Sequence, residues 1–159
     1  MKKLRNPFAN LDGYNCFGCS PANPIGLQLS FTEDGDSITA DWVPGINYQG
    51  YLGILHGGIQ ATLMDEIASW TVYVKMNTAG FTSSAEFRYL HPVHMDRGPV
   101  TLRSNVKAFR RNLADIEVTL SDNTGLVCSR GILTFFTFPP EKAKIPMYAP
   151  SREEFYEQN

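Results

Sequence analysis

The sequence predicts an α+β fold, in which one long buried helix packs against one face of a curved antiparallel β-sheet. One stretch, at about residues 57–76, carries apolar residues at helical spacing over its whole length. The other regular segments alternate apolar and polar residues, as half-buried strands do. Short turns join the later segments, and turns of hairpin length imply antiparallel pairing of the strands that they connect.

The helix is predicted to be buried because its apolar residues extend nearly all the way round it. One face carries Ile59, Leu63, Ile67, Trp70 and Val74, and the opposite side carries Ala61, Met64, Ala68 and Val72. A glycine-rich loop, residues 43–55, precedes it, and no other segment shows a comparable helical pattern. We therefore expect the sheet to wrap around this one helix.

Strands are predicted both before and after the helix in the sequence. Before it, two alternating segments flank an "EDGD" turn and indicate a β-hairpin; their apolar residues are Leu27, Leu29, Phe31, Ile38, Ala40 and Trp42. After it, four strands are predicted at about 81–91, 99–109, 113–121 and 126–138. Two of these have clear apolar faces, made by Val100, Leu102, Val106 and Ala108, and by Ala114, Ile116, Val118 and Leu120.

Length and composition indicate a single globular domain. We divide the 159 residues into an irregular N-terminal segment (1–26), the domain proper (27–140) and a polar C-terminal tail (141–159). Hydrophobic residues make up 43% of the chain and charged residues 19%, which is typical of a folded protein. The net charge of −2 offers no basic surface to nucleic acid.

The same sequence predicts a cytoplasmic location. The start of the chain lacks the apolar run of a signal peptide, and no stretch approaches the ~20 apolar residues that a membrane span requires. Three cysteines are too few for a disulfide framework, so a reducing compartment is expected. We expect neither membrane nor nucleic acid among its partners.

The start of the helix, "HGG" at residues 56–58, has the features of an anion site. The first turn of a helix leaves about four N–H groups without internal partners, and the helix dipole adds positive potential there. Gly57 and Gly58 have no side chains, so a ligand oxygen can approach their amides closely. Such amides can stabilise the oxyanion that develops when a carbonyl group is attacked.

A carboxylate, Asp65, lies in the same helix where burial would be costly without partners. It is about 160° from the centre of the main apolar stripe, and its neighbours there are the small residues Ala61, Thr62, Ala68, Ser69 and Val72. Eight residues of helix place it roughly 12 Å from Gly57, too far for both to act on one carbonyl within a chain. We therefore predict a symmetric dimer whose two sites each combine Gly57 of one chain with Asp65 of the other.

Two stretches, "GYLGILHGGIQATLMDE" and "TSSAEFRYLHPV", resemble the hotdog-fold thioesterases, specifically the PaaI-like acyl-CoA thioesterase group. The segment "CFGCSPANPIGLQLSF" is similar to the start of one branch of these proteins, and the resemblance covers about residues 14–138. It implies a central helix wrapped by an antiparallel sheet, working as a homodimer that often pairs into a homotetramer. It further implies hydrolysis of acyl-CoA thioesters without a cofactor.

The resemblance also implies roles for individual residues. Gly57, with Gly58, would polarise the thioester carbonyl, and Asp65 would be the general base or the nucleophile. Thr82 matches a position where the family often has Ser or Thr, and with its neighbour Ser83 it would orient the water or the carboxylate. Some relatives carry an asparagine six residues before the histidine; this chain has Gly50 there, so we assign its role to Gln49.

Several further residues have a functional and a structural interpretation. Glu66 points about 100° away from Asp65, and we interpret it as a structural residue or interface partner. His56 is placed with the substrate-binding residues, either as a proton shuttle or as the residue that fixes the loop entering the helix. Arginines bind phosphate oxygens well, so the CoA phosphates are assigned to Arg88, Arg110 and Arg111.

The cysteines leave one alternative open. Cys16 and Cys19, in "CFGC", and His91 and His94, in "HPVH", would make a Cys2His2 zinc set if the fold brought them together. A redox role for the CxxC pair is a further alternative. We favour buried thiols, with no metal ligand and no cofactor.

Two rival functions also remain. One is a hotdog hydratase or dehydratase, which pairs an acid with a histidine; His56 is the only histidine near the motif in sequence. The other is a module that binds acyl-CoA without turnover.

Overall fold

The computed structural model describes residues 1–143 and 149–156. Its helices and strands, in chain order, are β1 (Lys2–Lys3), β2 (Thr32–Asp34), β3 (Ser37–Trp42), α1 (Gly57–Met76), β4 (Gly80–Tyr89), β5 (Val100–Arg110), β6 (Leu113–Ser121), β7 (Val127–Thr137) and α2 (Pro140–Ala143). Short 3-10 turns occur at Ile46–Tyr48, Met95–Arg97 and Arg152–Phe155. Within the described residues, no helix combines the length and hydropathy needed to cross a membrane.

The seven strands form one antiparallel sheet in the order β1-β2-β3-β5-β6-β7-β4. Helix α1 packs against β3, β5, β6, β7 and β4. The predicted fold class, a long central helix against an antiparallel sheet, is confirmed. Strand β4 follows the helix in sequence but lies at the edge of the sheet, so one of its sides has no strand partner among the described residues.

Both ends of α1 have local causes, and its observed bounds match the predicted range of 57–76. At the start, Nδ1 of His56 accepts a hydrogen bond of 2.9 Å from the Gly58 amide, which caps the helix. At the end, Asn77 adopts the left-handed conformation (φ 52°, ψ 42°) that commonly terminates helices. Leu63, Ile67 and Val74 are fully buried.

The apolar faces of β5 and β6 build a large part of the sheet side of the core. In β6 the four predicted residues, Ala114 to Leu120, are all buried. In β5, Val100 and Leu102 are buried, but Val106 is 37% exposed beside a cavity at the far end of α1. A register shift between Val106 and Ala108 brings Phe109 to this cavity. Ala108 therefore departs from the predicted face, because the shift interrupts the alternation.

The strand pairing of the first predicted hairpin is shorter than the alternating segment that predicted it. Leu27, Leu29 and Phe31 are buried as expected, but strand pairing begins only at Thr32. The amides of Leu27 and Leu29 instead donate to the carbonyls of Phe17 and Gly18, in the N-terminal segment. This segment thus takes the place of a neighbouring strand.

The two flanking segments contribute to the same core. Leu4 and Phe8 are buried, and β1 extends the sheet beside β2. In the tail, Phe155 is fully buried, stacks on Tyr73 and meets the ring of Trp70 edge to face. The tail predicted at 141–159 therefore includes a core residue; its residues 144–148 and 157–159 lie outside the described part.

Replacing Phe155 with Ala should lower the free energy of unfolding by about 3–5 kcal/mol, because it removes a fully buried aromatic ring. The matched control is Phe136→Ala, since Phe136 is 44% exposed and its loss should cost roughly 1 kcal/mol. Urea denaturation of the two variants checks this. Equal costs would show that the tail adds little to the core.

The capping role of His56 predicts a second difference in stability. His56→Ala leaves the Gly58 amide without its acceptor and should cost about 1 kcal/mol of unfolding free energy. His56→Asn should restore most of this, because asparagine is a preferred N-cap residue. Thermal or urea denaturation of both variants measures the difference. A loss of equal size in the two variants would contradict the capping role.

Candidate active site

A cavity of about 620 Å³ opens at the N-terminus of α1. The residues that line it are Gly50, Tyr51, Ile54, Leu55, His56, Gly57, Gln60, Tyr89, Leu90, His91 and Pro92. They come from the loop before the helix, the first turn of the helix and the segment that follows β4. Two residues of the predicted "HGG" motif, His56 and Gly57, therefore lie in the wall of a cavity.

The two glycine amides differ in what they can offer a ligand. Gly58 donates its N–H to Nδ1 of His56, so this amide is already engaged. Gly57 is the first helical residue, and its N–H has no hydrogen-bond partner among the described residues. Its carbonyl accepts a hydrogen bond of 3.0 Å from the hydroxyl of Tyr89. Gly57 is thus the available donor in this cavity.

Gln60 is a cavity residue that the sequence analysis missed. It is buried, its Nε2 donates to the carbonyl of Leu55 at 3.1 Å, and its Oε1 accepts from the hydroxyl of Ser129. These bonds tie the first turn of α1 to the preceding loop and to β7. The available signal was its spacing: Gln60, Leu63 and Ile67 fall on one buried face, where a polar side chain needs a partner.

The structure brings Asp65 and Thr82 together. The hydroxyl of Thr82 donates to Oδ1 of Asp65 at 2.7 Å, and Asp65 is partly exposed. Ser83 is the extra residue where the pairing of β4 with β7 shifts register, and its hydroxyl donates to the carbonyl of Thr134 at 2.9 Å. Of the two predicted hydroxyls, Thr82 is the one that reaches the carboxylate.

Gly57 and Asp65 occupy different places within one chain. Asp65 lies eight residues further along α1, roughly 12 Å, and contacts the start of β4, whereas Gly57 contacts its end. Both positions lie along the flank of α1 that faces β4. The residues of β4 are almost all exposed, and no strand of the described residues lies beyond β4 at this edge of the sheet.

Gln49 has a structural contact in this chain. Its Oε1 accepts a hydrogen bond of 3.1 Å from the amide of Gly53, within the loop that precedes the helix. The neighbouring Gly50 lines the cavity and leaves room for His56, because an added Cβ there would come within 3.2 Å of the His56 Cα.

The three arginines assigned to phosphate lie apart from the Gly57 cavity. Arg88 pairs with Glu86 at 3.1 Å, and both side chains are largely exposed. Arg110 pairs with Asp115 at 3.0 Å beside the turn that contains Arg111. Strand register places this turn near Phe81, at the end of β4 opposite to Tyr89. Within one chain, they do not surround one anion.

The structure also corrects the prediction that His56 is the histidine near the motif. His91 lines the same cavity as His56, although 35 residues separate them, so His56 is not the only histidine at the motif. The backbone of His94 pairs with Ile54. The Cys2His2 set is not assembled, because the group that the structure brings together is Cys16, Cys19 and Glu66.

Glu66 lies on the other side of α1, under the N-terminal segment. Burial, and then the nearby Cys16, raise the pKa of Glu66 to about 7. A hydrogen bond from the Cys19 thiol, and then the backbone amides of Cys19 and Gly18, lower the pKa of Cys16 to about 5. Glu66 and Asp65 therefore have different neighbours, Cys16 for Glu66 and Thr82 for Asp65.

Comparison with known proteins agrees with this fold. Residues 52–129 match the family model described as the thioesterase superfamily. One solved thioesterase superfamily protein shares 24% identity and a TM-score of 0.68, covering 73% of this chain. This chain spans only 57% of that protein's chain. A search of curated proteins finds no match.

Two further solved structures are similar. A thioesterase from Haemophilus influenzae has 21% identity and a TM-score of 0.65, over 72% of this chain and 80% of its own. A hypothetical thioesterase from Streptococcus pneumoniae, solved with coenzyme A, has 19% identity and a TM-score of 0.63, over 69% and 87%. At these identities the structures establish the fold. Residues 52–129 of this chain are thus similar to the thioesterase superfamily, and they lie within a domain that has the hotdog fold.

Proposed function

We propose that this protein is a cytoplasmic acyl-CoA thioesterase of the PaaI-like group, working as a homodimer, or a pair of homodimers, without a cofactor. The observation that carries the proposal is the pair of reactive features along one flank of α1. A free helix-terminal amide, at Gly57, lies in a cavity, and an oriented carboxylate, at Asp65, lies further along. The three cysteines are free thiols, which suits a reducing compartment.

The cavity at Gly57 suits the electrophilic half of a thioester hydrolysis. The Gly57 N–H and the dipole of a twenty-residue helix act together on an oxygen placed at the helix start. The neighbouring walls, including Leu55, Leu90 and Pro92, are apolar and suit an uncharged chain. The coenzyme A in the Streptococcus pneumoniae structure supports CoA as the carrier of the acyl group.

Asp65 suits the role of general base or nucleophile. Thr82 donates to Oδ1, which fixes the carboxylate and leaves Oδ2 available to a water molecule or to the carbonyl carbon. As a base, Asp65 takes a proton from water while the water oxygen attacks the thioester carbon. The C–S bond then breaks, and CoA leaves as a thiol after receiving that proton.

The homodimer joins the two halves of the site. Strand β4 is an edge strand, because no other strand of the described residues lies beyond it in the sheet. Pairing of two such edges about a twofold axis would set the two α1 helices antiparallel. Each Gly57 would then face the partner's Asp65. The two groups could act on one carbonyl in this arrangement, although they are roughly 12 Å apart within a chain.

A hydratase or dehydratase acting on acyl thioesters is the second candidate, because His91 lines the cavity. The Nδ1 of His56 is occupied by the Gly58 amide, so His91 would be the histidine of such a reaction. Assays that supply enoyl-CoA and 3-hydroxyacyl-CoA, beside saturated acyl-CoAs, distinguish the two activities.

Asp65→Asn should lower kcat for acyl-CoA hydrolysis by about 10²- to 10⁴-fold, because an amide cannot act as base or nucleophile. Released thiol is measured over acyl-CoAs of short, long and aromatic chains. The control is Asp41→Asn, since Asp41 also accepts from a threonine hydroxyl, that of Thr101 at 2.6 Å, and lies on β3.

Three results of that experiment would contradict the proposal. Near-normal turnover by Asp65→Asn would remove Asp65 from the chemistry. Binding of acyl-CoA by the wild type without any turnover would indicate a binding module. Interconversion of enoyl- and 3-hydroxyacyl-CoA without hydrolysis would indicate the hydratase.

The shared site predicts recovery of activity in a mixed dimer. Gly57→Pro removes the N–H and suits the first helical position, where His56 already has an extended ψ of 133°. Coexpressed with Asp65→Asn, it should regain about a quarter of wild-type activity, because half the dimers are mixed and half their sites are intact. Thiol release by the coexpressed mixture measures the recovery, and the purified mixed dimer should reach about half of wild-type activity, because one of its two sites is intact.

Two controls accompany this experiment. Gly57→Ala keeps the N–H and adds a methyl at ordinary contact distance, 3.6 Å from Tyr89, so it should keep most activity. Coexpression of Asp65→Asn with a chain that carries both changes should give no recovery. If the simple mixture also fails to recover although mixed dimers form, the sites are not shared between chains.

A further inference from the structure

Two thiols and one carboxylate meet between the N-terminal segment and α1. The Sγ of Cys16 lies 3.6 Å from the Sγ of Cys19, and 3.6 and 3.7 Å from the two carboxylate oxygens of Glu66. One ligand atom from each of the three residues lies within 4.8 Å of the other two. This cluster, Cys16–Cys19–Glu66, lies in a cavity of about 590 Å³.

The cluster is held by the fold rather than by one flexible loop. The turn through Cys16 and Cys19 is closed by a hydrogen bond from the Ser20 amide to the Cys16 carbonyl, 3.1 Å long. Residues 17 and 18 accept hydrogen bonds from the amides of Leu27 and Leu29. Gly18 permits the close approach, because a Cβ there would overlap the carboxylate of Glu66. All three side chains therefore start from ordered backbone.

The cluster lacks a positive charge. Its cavity is lined by no Lys, Arg or His from the described residues, and it includes a further acidic residue, Asp12. The groups that offer hydrogen bonds within it carry no positive charge. The Cys16 thiol donates to the Glu66 carboxylate, the hydroxyl of Tyr14 lies 2.9 Å from the Cys19 Sγ, and the buried indole N–H of Trp70 is adjacent to Glu66. A buried carboxylate beside thiols is costly unless a cation or several donors compensate it.

We propose that Cys16, Cys19 and Glu66 bind one Zn²⁺ ion, which joins the N-terminal segment to α1. Zinc binds cysteine sulfur at about 2.3 Å and carboxylate oxygen at about 2.0–2.2 Å. In a tetrahedron this places two sulfurs about 3.8 Å apart, and a sulfur and an oxygen about 3.5–3.7 Å apart. The Cys16–Cys19 separation of 3.6 Å and the Cys16–Glu66 separations of 3.6 and 3.7 Å are close to these values, and the ligand atoms of Cys19 and Glu66 lie within 4.8 Å of each other.

The three protein ligands leave one tetrahedral position for a water molecule from the cavity. Zinc binding releases the protons of both thiols. The two positive charges of the ion then compensate the charges of the two thiolates and the carboxylate, which otherwise have no counter-ion in this cavity. The site uses the CxxC pair of the sequence with Glu66 in place of His91 and His94. It lies on the other side of α1 from Asp65 and does not depend on the proposed hydrolysis.

The test measures zinc in the full-length protein, purified under reducing conditions without chelators. We expect about one zinc per chain in the wild type and in Cys128→Ser, and well below that ratio in Cys16→Ser and Cys19→Ser. Cys128 is the matched control, because it is a fully buried free thiol in β7, outside the cluster. Titration of metal-free protein with Co²⁺ should produce a thiolate-to-cobalt absorption band that Glu66→Gln weakens.

A measurement on the wild type alone covers the case in which the cysteine variants do not fold. Zinc should slow alkylation of Cys16 and Cys19 and raise the melting temperature, and a chelator should reverse both. The proposal is overturned if reduced wild type holds no more zinc than Cys16→Ser. It is also overturned if metal-free protein gives no cobalt–thiolate band, or if zinc leaves alkylation of both cysteines unchanged.

Discussion

The fold depends on the need to cover a helix that is apolar on nearly every side. The sheet covers one side of α1, including Leu63 and Ile67. Phe31, which stacks on Trp70 at 4.2 Å, and Phe155 of the C-terminal tail cover another. Full burial of each such aromatic ring contributes about 1.5–3 kcal/mol through the hydrophobic effect. The flank beside β4 is left partly open, and Asp65 lies there, so the covering of the helix also positions the candidate site.

Most of the fold could be predicted from the sequence because its elements have local causes. The periodicity of α1 and its terminal residues, His56 and Asn77, define the helix, and alternation defines β6. The departures arise where a distant segment decides the structure. Residues 27–31 alternate like a strand but bond to the N-terminal segment, and a register shift in β5 moves Ala108 off the apolar face. No local sequence pattern predicts that Phe155 packs against Trp70 and Tyr73.

The candidate site was predictable in part for the same reason. Gly57 and Asp65 were identified because their spacing and residue types have a chemical meaning that the chain alone displays, whereas Thr82 was identified through the family resemblance. Gln60 and His91 join the cavity through contacts across the fold, and the engagement of the Gly58 amide follows from the rotamer of His56. The partner of Glu66 lies 50 residues away, in a segment without regular structure. The CxxC pair, Cys16 and Cys19, could be recognised in the sequence, but its contact with Glu66 could not.

The register shift in β4 has a consequence for the length of this strand. Side chains of a regular strand alternate between faces, so residues 82 and 89, an odd number apart, would point in opposite directions. Here both contact α1, because Ser83 is an extra residue opposite β7. Deleting one residue between them would keep nearly the same composition, yet it would turn Thr82 away from Asp65. The number of residues in this segment is therefore constrained as strictly as their identity. Relatives with an insertion or deletion here would lose the hydroxyl–carboxylate pair, whereas relatives of the same length would keep it.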